Sequence, residues 1–161
     1  GVQCSTIPRQ RKFTVGKVCL RKKTIIGEGR YGYVWIAKDA STKQRIALKQ
    51  INVQDQETLE CAQREAELLM SVSPHPNIIQ YLGHGSVYIG QRCNFYILME
   101  LCTAHLDQLI DQRESRPWSD EEVLHIFSEV CRGVQRLHSH SPKPIAHWQE
   151  LTYAMAILHH I

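Results

Sequence analysis

Between residues 27 and 65 three features have the chemistry to hold a polyphosphate. Gly27-Glu-Gly29-Arg-Tyr-Gly32-Tyr-Val34 has the form G-x-G-x-x-G-x-V. Glycines permit positive φ and let backbone N–H groups approach an anion with no side chain in the way. Twenty-two residues after Gly27, Ile46-Ala-Leu-Lys49 ends an apolar run on a lysine. An ammonium there can sit under the glycine loop against phosphate oxygens, provided that a carboxylate holds it. Glu65 and Glu67 are the candidates. They stand about 200° apart around a helix, so only one can face a sheet. Ala62, Ala66 and Leu69 mark the inward face, and Glu65 borders it.

A glycine run of this form also opens dinucleotide-binding folds, where a helix begins at the third glycine. Here Tyr33-Val-Trp-Ile36 follows, aromatic and β-branched, and a strand is expected instead.

The surrounding pattern supplies the elements that position these residues. Residues 1–12 mix Ser, Thr, Pro, Arg and Lys without periodicity and read as a disordered arm. Strand-like runs follow at Phe13 to Leu20, Thr24 to Ile26, Tyr31 to Lys38 and Arg45 to Ile51, with Asp39-Ala-Ser-Thr-Lys-Gln44 as a hairpin turn. Leu59, Ala62, Ala66 and Leu69 recur at helical spacing until Pro74 and Pro76 stop them. Two further strands, Ile78 to Leu82 extending toward Ile89 and Phe95 to Leu101, flank a turn at Gly90-Gln91-Arg92. The remainder reads as helix, first Leu106 to Arg113, then Asp120 to His138. Ser119-Asp-Glu-Glu122 opens the longer helix as a capping box. Val123, Phe127, Val130, Val134 and Leu137 give it one apolar face, which expects a partner. The expected fold is α+β: a five-stranded antiparallel sheet with one helix over residues 13–103, then an incomplete helical part over 104–147 and a divergent tail over 148–161.

The glycine run, the Ala-Leu-Lys49 strand and Glu65 on the next helix together resemble the protein kinase family, Ser/Thr type, over roughly Phe13 to His147. The resemblance implies a kinase-like N-terminal lobe in which Gly27, Gly29 and Gly32 cover the phosphates of ATP. Ile26, Val34 and Ala47 would then bound the adenine, while Lys49 pairs with the α/β-phosphates and Glu65 orients it. In Leu98-Met99-Glu100-Leu101-Cys102, Met99 corresponds to a gatekeeper, and backbone groups of Glu100 and Cys102 to the hinge that faces the adenine edge. Phe13-Thr-Val-Gly16, Cys61-Ala-Gln-Arg-Glu65 and this hinge are most similar to the Numb-associated kinase group. The family implies phosphoryl transfer from ATP to Ser or Thr of a protein substrate.

The likeness breaks at Ile145-Ala-His147-Trp148-Gln149-Glu150, where His-Arg-Asp is expected. Gln149 is an amide and cannot serve as the catalytic base. Within the 161 residues there is also no catalytic-loop asparagine and no Asp-Phe-Gly, so the protein ligands that the family uses for magnesium are absent. The expectation is an ATP-binding part of a kinase that transfers phosphate poorly. The alternatives are a nucleotide-binding or scaffolding pseudokinase module and a truncated non-functional product. In the tail, Leu151, Ala154, Met155 and Leu158 have the spacing of a short amphipathic helix.

Composition narrows the partners. With 19 Lys plus Arg against 16 Asp plus Glu, the net charge is +3 without a run of five or six like charges, and nucleic acid is not expected. Hydrophobic residues at 43% allow one ordinary core. No apolar stretch reaches membrane-spanning length and no secretory signal opens the chain, so a cytoplasmic setting is expected. The six cysteines lack Cys-x-x-Cys spacing and read as reduced thiols, and the nine histidines show no metal-ligand pattern. If a methionine preceded Gly1, Gly1-Val-Gln-Cys-Ser5 would suit myristate, with Cys4 for palmitate and Arg9, Arg11 and Lys12 for anionic lipid. Membrane association would follow.

Overall fold

The computed structural model describes residues 12–29, 31–102, 106–111, 113 and 117–140. The lipid-acceptor sequence at Gly1, the stretch His147 to Gln149 and the expected tail helix lie outside the described residues.

Six strands, each antiparallel to its neighbours, form one sheet in the order β1-β2-β3-β4-β6-β5. They are β1 (Phe13–Val15), β2 (Val18–Gly29), β3 (Gly32–Asp39), β4 (Arg45–Val53), β5 (Tyr81–Ile89) and β6 (Arg92–Glu100). Helix α1 (Gln56–Val72) joins β4 to β5, and α2 (Leu106–Asp111) and α3 (Asp120–His140) follow the sheet. The expected fold class holds, with one strand more than expected. The apolar run from Phe13 to Leu20 divides at Gly16, whose φ of 57° turns the chain back so that Val15 pairs with Val18. The returning strand then continues through Thr24 to Ile26 and on to Gly29, bending at bulges between Lys22 and Thr24 and between Ile25 and Gly27. The β3–β4 turn is closed by Asp39, whose Oδ1 accepts the Ser41 N–H at 2.7 Å.

Alternation along the strands sends side chains to two separate cores. On β4, Ala47 and Ile51 face α1, whereas Ile46 and Leu48 face the other side. On β6, Phe95, Ile97 and Met99 take the helix side, and Tyr96 and Leu98 the opposite one. The sheet curls on this second side until the Val15 side chain approaches Gly85 of β5, where a Cβ would stand 3.3 Å from Val15 Cγ1.

Helix α1 starts at Asp55, whose side chain accepts the Thr58 N–H at 2.7 Å. Its buried face is Ala62, Ala66, Leu69 and Val72. Two alanines let the helix axis come close to the sheet, which brings Glu65 within reach of β4. In α3 the capping box forms as expected: Ser119 Oγ accepts from the Glu122 N–H at 3.2 Å, and a Glu122 carboxylate oxygen accepts from the Ser119 N–H at 2.9 Å. Helix α3 docks through the C-terminal end of its apolar stripe and a glycine beside it. Gly133 and Leu137 are its buried residues, and a Cβ on Gly133 would lie 2.9 Å from the Asn77 carbonyl oxygen. Val123 and Phe127 of the stripe are 51% and 64% exposed. Close approach of helix to loop is possible only at the glycine, so packing follows Gly133 rather than the largest side chains. No described helix is long and apolar enough to cross a membrane.

Candidate functional site

The β2–β3 hairpin carries the glycines. Gly27 pairs with Val34 and Gly29 with Gly32. The turn is fastened to β4 by the Asn52 N–H, which donates to the Tyr31 carbonyl at 2.8 Å. Positive φ, which the glycine pattern would allow here, is taken among the described glycines by Gly16, Gly83 and Gly90 instead. Gly32 is needed for space: a Cβ there would lie 2.0 Å from the Gln50 backbone oxygen. The third glycine therefore sets how closely the hairpin lies on β4.

Val34 pairs with Lys49 across that contact, and alternation puts Val34, Ala47 and Lys49 on the α1 side of the sheet. Lys49 Nζ donates to both carboxylate oxygens of Glu65, at 2.6 and 2.7 Å. The two side chains are 17% and 13% exposed. Glu67, the competing carboxylate, is exposed, as the helical angle requires. A lysine so held keeps its ammonium at a fixed place.

The apolar part of the site comes from three strands. Ala47 and Met99 are buried in the α1-side core, with Val34, Leu101 and Cys102 packed against it. Leu101 was not among the sequence candidates; its signal was its place between two of them. Ile26 is not drawn in. It falls at the second bulge of β2 and is 42% exposed. Glu100 ties the end of β6 to the segment before β5: its N–H donates to the Gln80 carbonyl at 3.0 Å, and its carboxylate accepts the Gln80 N–H at 2.6 Å. Burial, aided by the nearby Glu100 charge, raises the Cys102 pKa and keeps the thiol protonated.

A glycine hairpin paired beside a carboxylate-anchored lysine and next to apolar side chains of three strands suits a nucleoside polyphosphate. The model of the protein kinase domain matches residues 20–148. The chain belongs to the protein kinase family. It is 32% identical over 135 residues, 82% of the chain, to a Dictyostelium discoideum protein named as a probable serine/threonine-protein kinase. It is 29% identical to a second such protein of that organism over 87% of the chain, and 28% identical to the serine/threonine-protein kinase ppk30 of Schizosaccharomyces pombe over 89%. The matched regions make up 12%, 40% and 15% of those relatives, so the kinase chain spans only a part of their length. Among its described residues no three His, Cys, Asp or Glu side chains gather as a metal site, so no magnesium-holding set is assigned to them. Cys19, Cys61, Cys93, Cys102 and Cys131 are free thiols.

Proposed function

We propose that this chain is the ATP-gripping part of a Ser/Thr protein kinase whose parent activity is phosphoryl transfer to protein hydroxyls. The observation that carries the reading is the two-oxygen Lys49–Glu65 pair on the sheet face directly opposite Val34 of the glycine hairpin. In this reading the Lys49 ammonium, positioned by Glu65, faces the α/β-phosphates, and Gly27, Gly29 and Gly32 offer backbone to them. Val34, Ala47 and Met99 enclose the adenine. Because the Glu100 N–H is committed to Gln80, the hinge would present the Glu100 carbonyl and the Cys102 N–H to the adenine edge, an acceptor beside a donor. Phosphoryl transfer is mostly positioning and electrostatics. Glu65 supplies the positioning, since it prevents Lys49 from folding onto other acceptors.

Gln149 favours a second reading, a nucleotide-binding or scaffolding module without turnover. An amide there orients a hydroxyl poorly and takes no proton. The likeness of the hinge and of Phe13 to Gly16 supports placement near the Numb-associated group.

A thermal shift experiment tests the assignment. ATP at 100 times its dissociation constant should add roughly 2.7 kcal/mol, or about 5–10 °C in a domain of this size. The shift should disappear in Lys49→Ala. A shift of equal size in Lys49→Ala would refute the site. Transfer of labelled phosphate to a protein substrate by the unmodified chain, lost in Lys49→Ala, would refute the turnover-free reading and leave the ATP site standing.

A further inference from the structure

Lys22 lies on the face of the sheet turned away from Lys49. It follows Leu20 at the alternate position on β2, where Leu20 is fully buried in the second core. Three rings from three other strands surround its Nζ: Trp35 of β3 with the ring centroid at 4.7 Å, Tyr96 of β6 at 5.0 Å and Phe13 of β1 at 5.4 Å. Its polar partners are both neutral. It donates to Gln50 Oε1 of β4, and to the Tyr96 hydroxyl at 3.3 Å. Burial raises the Tyr96 pKa, so that phenol stays uncharged. No described carboxylate lies within 4 Å of Nζ, in contrast to Lys49. The Trp35 indole N–H is buried and has no acceptor among the described residues. An otherwise well-packed sheet thus holds a cation without a counter-ion next to a donor without an acceptor.

We propose that Lys22 is an N-acylation site, modified by acyl thioesters in preference to the exposed lysines of the chain. The neutral Nζ adds to the thioester carbonyl carbon, and the C–N bond forms as the C–S bond breaks. The thiolate leaves and takes up the proton lost by nitrogen, giving an amide and a thiol. Acylation removes a half-buried charge that no described carboxylate neutralises and introduces a carbonyl oxygen beside the ring that carries the unpaired Trp35 N–H. It also removes the cation that Phe13, Trp35 and Tyr96 share, which loosens the attachment of β1.

Desolvation lowers the Lys22 pKa to about 8, against the preference of the rings for the charged form. At pH 7.4 roughly a fifth of such an amine is neutral, compared with about a thousandth of an ordinary lysine. The lower basicity slows attack by roughly twentyfold when reactivity follows half the basicity change. The remaining advantage is about tenfold.

The test is site-resolved mass spectrometry of the full chain treated with limiting S-acetyl-N-acetylcysteamine between pH 7 and 10.5, with exposed Lys17 as the internal reference. Lys22 should acetylate about tenfold faster than Lys17 at pH 7.4, and its rate should level off above pH 9. Acetylation of Lys22 no faster than that of Lys17, or a rate still climbing through pH 10, would overturn the proposal. Gln50→Glu adds a check in nearly the same shape. A carboxylate beside Nζ should hold the ammonium and abolish the preference while leaving Lys17 unchanged, and a preference that survives this change would overturn it as well.

Discussion

The Lys49–Glu65 pair should be worth several times an ordinary surface ion pair, and a double-mutant cycle measures this directly. Both carboxylate oxygens lie within 2.7 Å of Nζ, and the side chains are 17% and 13% exposed. At an effective dielectric near 20 and a charge separation of about 3 Å, the attraction is roughly 5 kcal/mol. Removing the two ions from most of their water offsets several kcal/mol of this. What remains is a coupling of about 2 kcal/mol, above the 0.2–1 kcal/mol or so of exposed pairs. Lys49→Met, Glu65→Gln and the double variant, each unfolded in urea, yield that coupling as the amount by which the two single losses exceed the double loss. It should change little between roughly 0.05 and 0.5 M salt, because ions screen exposed pairs far more than shielded ones. A coupling below about 0.5 kcal/mol would show that the pair is an exposed contact. The claim that Glu65 holds Lys49 in place for phosphate would then fail.

Gly32→Ala should destabilise the chain by about 3 kcal/mol in the same urea assay, since its Cβ meets the Gln50 backbone oxygen at 2.0 Å and only strand movement relieves it; an unchanged midpoint would contradict the packing role. Hydrogen bonds from Thr58, first among its causes, hold the Asp55 pKa below the usual carboxylate value. Its contribution is therefore complete above the unfolded pKa near 4 and lost as pH falls through the lower folded value, so Asp55→Ala should melt about 2–4 °C lower at pH 7, with the gap to the parent narrowing as pH falls below about 4. The Lys22 pKa is lowered instead, to about 8, so between pH 8 and 10.5 the unfolded chain binds the extra proton and stability rises with pH. Because Lys22 is half exposed, the rise relative to Lys22→Met is about 1 kcal/mol after allowing for solvent screening, and a flat difference across that interval would refute the burial of its charge.

What the sequence made legible was whatever depends on local periodicity. The choice of Glu65 over Glu67 follows from an angle around a helix, and the placement of Val34, Ala47 and Lys49 on one face follows from strand alternation. Ser119 and Glu122 were readable because a capping box spans four residues. The extra strand was not, since a single glycine at φ 57° separates β1 from β2 inside a run whose composition is continuous. The open stripe of α3 was legible, since hydrophobicity marks Val123 and Phe127 as a face that expects a partner and both stand exposed, but the close approach of Gly133 to Asn77 depends on backbone geometry that periodicity does not report. Asp55 went unnoticed although aspartate is a favoured N-cap residue and stands just before the helix. Lys22 left one clue, a cation two residues after Leu20 on a side of β2 that should be apolar. Its aromatic surroundings come from strands far apart in the sequence, and only the folded sheet assembles them.

The two lysines also bear on how the sheet keeps its register. Successive residues of β4 point to opposite faces, so Lys49 meets Glu65 on one side while Gln50 meets Lys22 on the other. A slip of β4 by one residue would exchange them. Lys49 would enter the aromatic face beside Lys22, placing two ammonium groups together with no carboxylate near, and Gln50 would leave Glu65 half-buried without its cation. Either change costs several kcal/mol in a shielded setting. Gly32 reinforces the choice, because the 2.0 Å clearance to Gln50 admits no residue with a Cβ, and Gly32 is flanked by Tyr31 and Tyr33. The uncompensated charge of Lys22 thus costs stability locally and excludes the pairing that would dismantle the phosphate-binding face.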